Sequence, residues 1–156
     1  MYRPSGHAGF GALCALGIMA SAAAAPASAQ GQAVSGVLAS FGFFGTWAVQ
    51  CGAPPAPVNI VQTVTWTGRE PVEFSATAAP GSAGNRYRVI TAQMPSATTL
   101  VMQVQLNQRS IENLTITKYG TDRIRTMATQ TPQGFLVRDG VVVASGRQTP
   151  WLQKCR

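Results

Sequence analysis

The chain has 156 residues, and its 12 Lys and Arg against 5 Asp and Glu give a formal net charge of +7 at pH 7. The single histidine is His7, which lies in a segment that we predict to be removed, so the remaining chain contains no imidazole. This composition excludes Ser-His-Asp and Cys-His catalysis and zinc sites built from His and Cys, and the acidic residues show no calcium-loop spacing. We therefore predict a protein that is not an enzyme, with no metal site and no cofactor.

Residues 1–29 have the pattern of a secretory signal peptide. Arg3 precedes an apolar run from Phe10 to Ala25, and Ala27-Ser28-Ala29 offers the small residues that a signal peptidase accepts. The run is rich in Ala and Gly, whereas a membrane-spanning helix needs roughly 20 strongly apolar positions. We predict that the mature protein begins near Gln30 and is exported to the periplasm or the extracellular space.

Residues 30–44 are a lead-in segment, and residues 45–156 form a single domain of ordinary size. Val34, Val37 and Leu38 have helical spacing, so the lead-in is either a short helix or a mobile segment. Its aromatic run, residues 41–44, either caps the domain or inserts into a partner.

Two cysteines remain after removal of the signal peptide. Cys51 and Cys155 lie too far apart in the sequence for a redox C-x-x-C motif, and disulfides persist in an exported protein. We predict one structural disulfide between them, which closes a loop of about 100 residues and contributes roughly 4 to 5 kcal/mol in the chain-entropy interpretation.

Beyond Thr46, apolar and polar residues alternate with the period of a strand that is buried on one face. The alternation is clearest at residues 100–107, and Asp139-Gly140 between two apolar runs predicts a hairpin with a type I′ turn. Segments rich in Pro and Gly separate the strands, among them residues 94–96. The predicted strands cover residues 46–51, 59–66, 72–77, 85–93, 100–107, 111–118, 122–130, 135–138 and 141–145. The pattern predicts an all-β antiparallel meander, closed as a barrel or folded as a sandwich.

Three short motifs occur in the order found in lipocalin-like (calycin) barrels. Gly45-Thr46-Trp47 resembles the G-x-W that opens the first strand of that family, and Thr121-Asp122 resembles the start of its T-D-Y motif, with Arg123 in place of tyrosine. The family closes with a basic residue over the tryptophan, a position that Arg147 or Lys154 can take. The resemblance implies an up-and-down barrel of eight or nine strands with Trp47 as a plug at its floor. Small protease-inhibitor barrels and avidin-like barrels begin with a similar tripeptide, so the motif favours a barrel more than any ligand.

A barrel of this kind binds a small molecule or is packed solid. The candidate lining residues are inward-facing apolar side chains, which either contact a small apolar or amphipathic ligand or fill the core: Trp66, Leu100, Met102, Val104, Leu114 and Ile116. The alternative function is that of a protein-interaction module, such as a periplasmic protease inhibitor or an envelope-associated factor.

Four arginines form two pairs with a spacing of two residues, Arg86 with Arg88 and Arg123 with Arg125. If their strands are neighbours, the guanidinium groups form one patch that binds phosphate, carboxylate or an anionic envelope surface; otherwise they serve solubility. No interleaved aromatic residues accompany them, so we predict no specific nucleic-acid binding. Glu70 and Glu73 beside Arg69 are interpreted as a solvated salt-bridging cluster.

Overall fold

A computed structural model describes residues 33–156, so the predicted signal peptide lies outside the described residues. The described chain has one helix, α1 (Val34–Phe41), and ten strands: β1 (Gly45–Ala48), β2 (Val61–Thr65), β3 (Glu73–Thr77), β4 (Asn85–Ser96), β5 (Thr99–Leu106), β6 (Ser110–Tyr119), β7 (Arg123–Thr131), β8 (Gly134–Arg138), β9 (Val141–Val142) and β10 (Leu152–Cys155). Helix α1 is too short and not apolar enough to cross a membrane.

The strands form a closed antiparallel barrel. Strands β1 to β7 follow one another in sheet order, and β10 closes the cylinder because it pairs with β1 on one side and with the first residues of β7 on the other. The last residues of β7 pair instead with β8, which carries β9 as a hairpin. Eight strands therefore make the barrel and two extend its wall, which confirms the predicted all-β barrel fold.

Local geometry agrees with the predicted hairpin but corrects two other predictions. Asp139 and Gly140 both have positive φ, at 51° and 74°, as a type I′ turn requires. Residues 94–96 are not a turn, since β4 continues to Ser96. The closing strand β10 was not among the predicted strands.

Helix α1 closes one end of the barrel. It buries Val37, Leu38 and Phe41 against the interior, and Phe43, which follows the helix, is completely buried. The lead-in is therefore helical over these residues, and Phe41 and Phe43 cap the barrel.

Three inward-facing side chains donate hydrogen bonds to the backbone carbonyls at and just beyond the C-terminal end of α1. Lys118 Nζ donates to Phe41 O at 3.1 Å, Lys154 Nζ to Gly42 O at 3.0 Å, and Trp47 Nε1 to Phe43 O at 2.8 Å. The last carbonyls of a helix have no partner within it and carry a partial negative charge, so two ammonium groups suit this position.

The amide end of α1 is bound by an acidic residue distant in sequence. Ser35 N–H donates to Glu70 Oε1 at 2.9 Å, and this hydrogen bond lowers the pKa of the exposed Glu70 carboxyl. Glu70 therefore anchors the helix, rather than belonging to the ion-pair cluster predicted with Arg69 and Glu73.

The predicted disulfide is present. Cys51, just beyond β1, is bonded to Cys155 at the end of β10, with a Cα–Cα distance of 5.5 Å. Such a bond is consistent with an oxidising environment. It ties together two strands that are neighbours in the barrel but separated by 104 residues in sequence.

Candidate functional site

The residues behind the family resemblance meet at the closed end of the barrel. Lys154 Nζ lies 5.2 Å from the centroid of the Trp47 ring, and Lys154 N–H donates to Asp122 O at 2.8 Å. Gly45 has a φ of 117°, and a Cβ at this position would lie 3.3 Å from Lys154 Cε. The glycine of G-x-W therefore leaves room for the lysine stem.

Lys154 is the basic residue that covers Trp47, and Arg147 is not. Arg147 is exposed beyond β9, where its carbonyl accepts a hydrogen bond from Val142 N–H. Lys154 takes this position because strand β10 pairs directly with β1, and the register of this pairing places Lys154 opposite Trp47.

A cavity of about 270 Å³, partly open to solvent, lies in the barrel, and Trp47 is not among the residues that line it. Its wall is mostly apolar, with side chains from the barrel strands and from the β8–β9 hairpin: Ile60, Phe74, Leu114, Ile116, Leu152, Val137 and Val142. The end of β7 leaves β10 and pairs with β8, and Val137 and Val142 of the β8–β9 hairpin form one side of the cavity.

Polar groups interrupt the apolar wall at a few positions. Thr149 also lines the cavity, and its hydroxyl Oγ1 donates a hydrogen bond to Thr126 O at 2.7 Å. Gln62 differs, because it is only 7% exposed and its Nε2 has no hydrogen-bond partner among the described residues. Buried amide donors are nearly always paired in folded proteins, so this group stands out.

The predicted ligand-binding residues lie in three different environments: the cavity wall, the packed core and the protein surface. Leu114 and Ile116 line the cavity. Leu100, Met102 and Val104 are at most 1% exposed and belong to the packed core. Filling the core was the alternative role predicted for them.

The prediction that Trp66 faces the interior is wrong. Its side chain is 50% exposed and stacks on Phe44, with ring centroids 6.1 Å apart. Strand β2 ends at Thr65, so the alternation that places Val64 inside no longer applies one residue further on.

Two inward titratable residues were not among the predicted site residues. Glu112 is only 4% exposed, and burial raises the pKa of its carboxyl. Tyr87 lines the cavity; burial raises its pKa, and the charge of Glu112 raises it further. The sequence signal for Glu112 was its position two residues before Leu114, on the same face of β6.

The four arginines do not form one patch. Strands β5 and β6 separate β4 from β7, so Arg86 and Arg88 lie apart from Arg123 and Arg125. The predicted four-arginine anion site is therefore wrong. Arg86 and Arg88 line a surface groove of about 340 Å³ together with the acidic Glu73.

Arg125 has a structural role at the hairpin. Its Nη2 donates to Gly140 O at 2.8 Å, its Nε donates to Thr149 Oγ1 at 3.1 Å, and its guanidinium lies 5.8 Å from the Trp151 ring centroid. These contacts fix the turn of the β8–β9 hairpin, and with it one wall of the cavity, against β7.

Within residues 33–156, no three side chains of His, Cys, Asp or Glu come close enough together to hold a metal ion. No family model matches the chain, and no curated protein or solved structure shows significant similarity to it. The closed eight-stranded antiparallel barrel is compatible with a calycin-like fold.

Proposed function

We propose that this protein is an exported, non-enzymatic, calycin-like binding protein whose barrel holds a small, mainly apolar molecule bearing a hydrogen-bond acceptor. The observation that carries the proposal is the buried amide of Gln62, which lines the apolar cavity and lacks a partner for Nε2. Leaving such a donor unpaired costs about 1 to 3 kcal/mol, and a ligand acceptor would remove this cost.

The size and composition of the cavity support a ligand of modest size. Its volume of about 270 Å³ exceeds the roughly 150 Å³ of an apolar protein cavity that binds benzene. A mostly apolar wall with a few polar groups is the usual composition of a small-molecule site, in which the polar groups orient the ligand.

Two observations support the proposals of export and of a non-enzymatic role. The N-terminal segment has signal-peptide character, and the Cys51–Cys155 disulfide suits an oxidising compartment. The cavity wall offers threonine, tyrosine and glutamine but no histidine or free thiol for nucleophilic catalysis.

Native mass spectrometry of the protein purified from an exporting host tests the proposal. We expect a stoichiometric small molecule that is released on denaturation. A Leu114→Trp variant, which fills the cavity, should lose this molecule, whereas Leu136→Trp at a 52% exposed position of the hairpin should retain it. Wild-type protein that is always ligand-free, and that binds nothing from a small-molecule extract of the host, would contradict the proposal.

The second candidate is a protein-interaction module, and one surface favours it. Leu136 and Val143 are 52% and 57% exposed and adjacent on the hairpin, where Val143 N–H donates to Leu136 O at 2.9 Å. Co-purification of one protein that is lost in a Leu136→Asp/Val143→Asp variant, together with an empty cavity, would favour this function instead.

A further inference from the structure

We infer that the molecule held in the barrel is a neutral carbonyl compound, such as a ketone, aldehyde, ester or lactone, whose oxygen accepts a hydrogen bond from Gln62 Nε2. This inference rests on the proposed binding function and specifies the class of ligand. Three features support it: the surroundings of the buried Gln62 amide, the uncharged wall of the cavity and the cavity volume.

The inward neighbours of Gln62 offer no side-chain acceptor to its amide. In the strand register, Gln62 lies between Trp47 of β1 and Ala76 of β3. The indole of Trp47 can only donate a hydrogen bond, and alanine has no polar side-chain atom. Two positions away along the chain are the apolar Ile60, which lines the cavity, and Val64, which is buried. Rotation of the Gln62 side chain toward any of these neighbours therefore leaves Nε2 unpaired.

A water molecule is a less suitable partner for this donor than an oxygen atom on a bound molecule. An internal water typically makes about three hydrogen bonds and needs at least two polar partners. Three of the four inward neighbours of Gln62 are apolar, and the indole N–H of the fourth, Trp47, is bound to Phe43 O. A ligand oxygen needs no partner besides Gln62, since the rest of the ligand holds it in place.

The wall of the cavity favours an uncharged ligand group at Gln62. Among the described residues that line the cavity there is no Lys, Arg, His, Asp or Glu. Gln62 is only 7% exposed, so a carboxylate beside it would lose its hydration without gaining a counter-ion. A carbonyl oxygen is uncharged and accepts hydrogen bonds only, whereas a hydroxyl brings a hydrogen that the neighbours of Gln62 cannot accept.

The volume of the cavity sets the size of the ligand. An apolar protein cavity of roughly 150 Å³ binds benzene, so a cavity of about 270 Å³ accommodates roughly 11 non-hydrogen atoms. The apolar part of the ligand would contact Phe74, Leu114 and Ile116, which line the cavity. A phenyl group joined to a carbonyl by a short alkyl chain has this size and composition.

Isothermal titration of ligand-free, oxidised protein with four probes of about this size tests the assignment. Benzylacetone is a ketone, its secondary alcohol carries a hydroxyl, hydrocinnamate carries a carboxylate, and butylbenzene has no oxygen. We expect benzylacetone to bind about 5- to 150-fold more tightly than butylbenzene, because its oxygen pairs a donor that the hydrocarbon leaves unpaired. The alcohol should bind less tightly than the ketone, and hydrocinnamate at pH 7 should bind least tightly of the three oxygen compounds.

Variants then assign the preference to one residue. Gln62→Leu has no amide donor and should lose the preference for benzylacetone over butylbenzene. Gln103→Leu makes the same substitution on β5, between buried Met102 and Val104, so its side chain faces outward and the wild-type preference should remain. Loss of the preference in both variants, or in neither, would overturn the role of Gln62.

Nuclear magnetic resonance of the side-chain amides gives a direct reading in wild type. The signals of the Gln62 amide are those missing from the nitrogen–proton correlation spectrum of Gln62→Leu. Saturating benzylacetone should shift their proton resonances downfield, as hydrogen bonding to a carbonyl does, whereas butylbenzene should not. Amide signals that respond equally to both probes would overturn the assignment.

The outcomes separate this inference from the proposal on which it rests. Equal binding of benzylacetone and butylbenzene by wild type, or tighter binding of hydrocinnamate or the alcohol, refutes the carbonyl class but leaves the cavity as a binding site. Failure of all four probes to bind, when a molecule co-purifies with the protein, refutes the carbonyl class alone. Failure to bind with no co-purifying molecule refutes both. The comparison of probes in wild type does not depend on the folding of any variant.

Discussion

Replacement of Gln62 by leucine should make the protein more stable while impairing its binding function. In the ligand-free protein the buried Nε2 has no partner, and the penalty for such a group is about 1 to 3 kcal/mol. Leucine has a similar volume and no polar atom, so the variant should recover most of this penalty. A change of 1 kcal/mol shifts the Tm of a domain of this size by roughly 4 °C, so we expect Tm to rise by about 4 to 12 °C.

Thermal unfolding followed by circular dichroism, on oxidised and ligand-free protein, measures this change. Gln103→Leu is the matched control, because Gln103 lies on β5 between buried Met102 and Val104 and faces outward. The control should change stability by no more than about 0.5 kcal/mol. A lower Tm for Gln62→Leu than for wild type would refute the reasoning, since it would mean that the amide is already well bonded in the empty barrel.

Three further predictions concern the framework of the barrel. Replacing Cys51 and Cys155 together by serine should lower the free energy of unfolding by about 4 to 5 kcal/mol, measured by urea denaturation, and a loss below about 1 kcal/mol would contradict the chain-entropy argument. Gly45→Ala should cost about 1 to 3 kcal/mol in the same assay, because it places a Cβ at positive φ and against the Lys154 stem; unchanged stability would show that the strand adjusts freely. The Glu70 pKa is lower in the folded state than its ordinary value of 4.5, so its contribution to stability is present above that pH and is lost as the pH falls through the folded pKa. Glu70→Gln should therefore lower Tm more at pH 7 than in acid far below pH 4.5, and an effect that does not shrink as the pH falls would contradict the assignment.

The barrel could be predicted from the sequence because its strands are buried on one face only. The alternation at Leu100, Met102 and Val104 directly reports which side chains face inward, and all three are buried. The dipeptide Asp139-Gly140 allowed the hairpin to be predicted, since few dipeptides adopt positive φ at two successive residues. The disulfide was predictable because only one pairing of the remaining cysteines exists.

Features that depend on where a strand ends, or on which strands are neighbours, were not predictable in this way. Trp66 continues the alternation of β2 but lies beyond its last pair, and the short closing strand β10 has too few residues to show a clear period. The arginine pairs have strand spacing on β4 and β7, yet spacing says nothing about the two strands between them.

The polar residues of the candidate site occupy inward positions that apolar residues normally fill, so the apolar alternation does not reveal them. Gln62 lies between Ile60 and Val64 in the inward register of β2, and Glu112 occupies the equivalent register on β6. A polar residue in such a register is itself a signal, since burial of that group is costly unless something pairs with it.

The position of β10 affects how the protein is made. It follows all other strands along the chain, yet it supplies the hydrogen bonds that join β1 to β7. Until it emerges, a nascent chain has two bare sheet edges that can pair with other chains. Removal of β10 would therefore leave an open sheet with unpaired edges on β1 and on the first residues of β7, rather than a slightly shortened barrel.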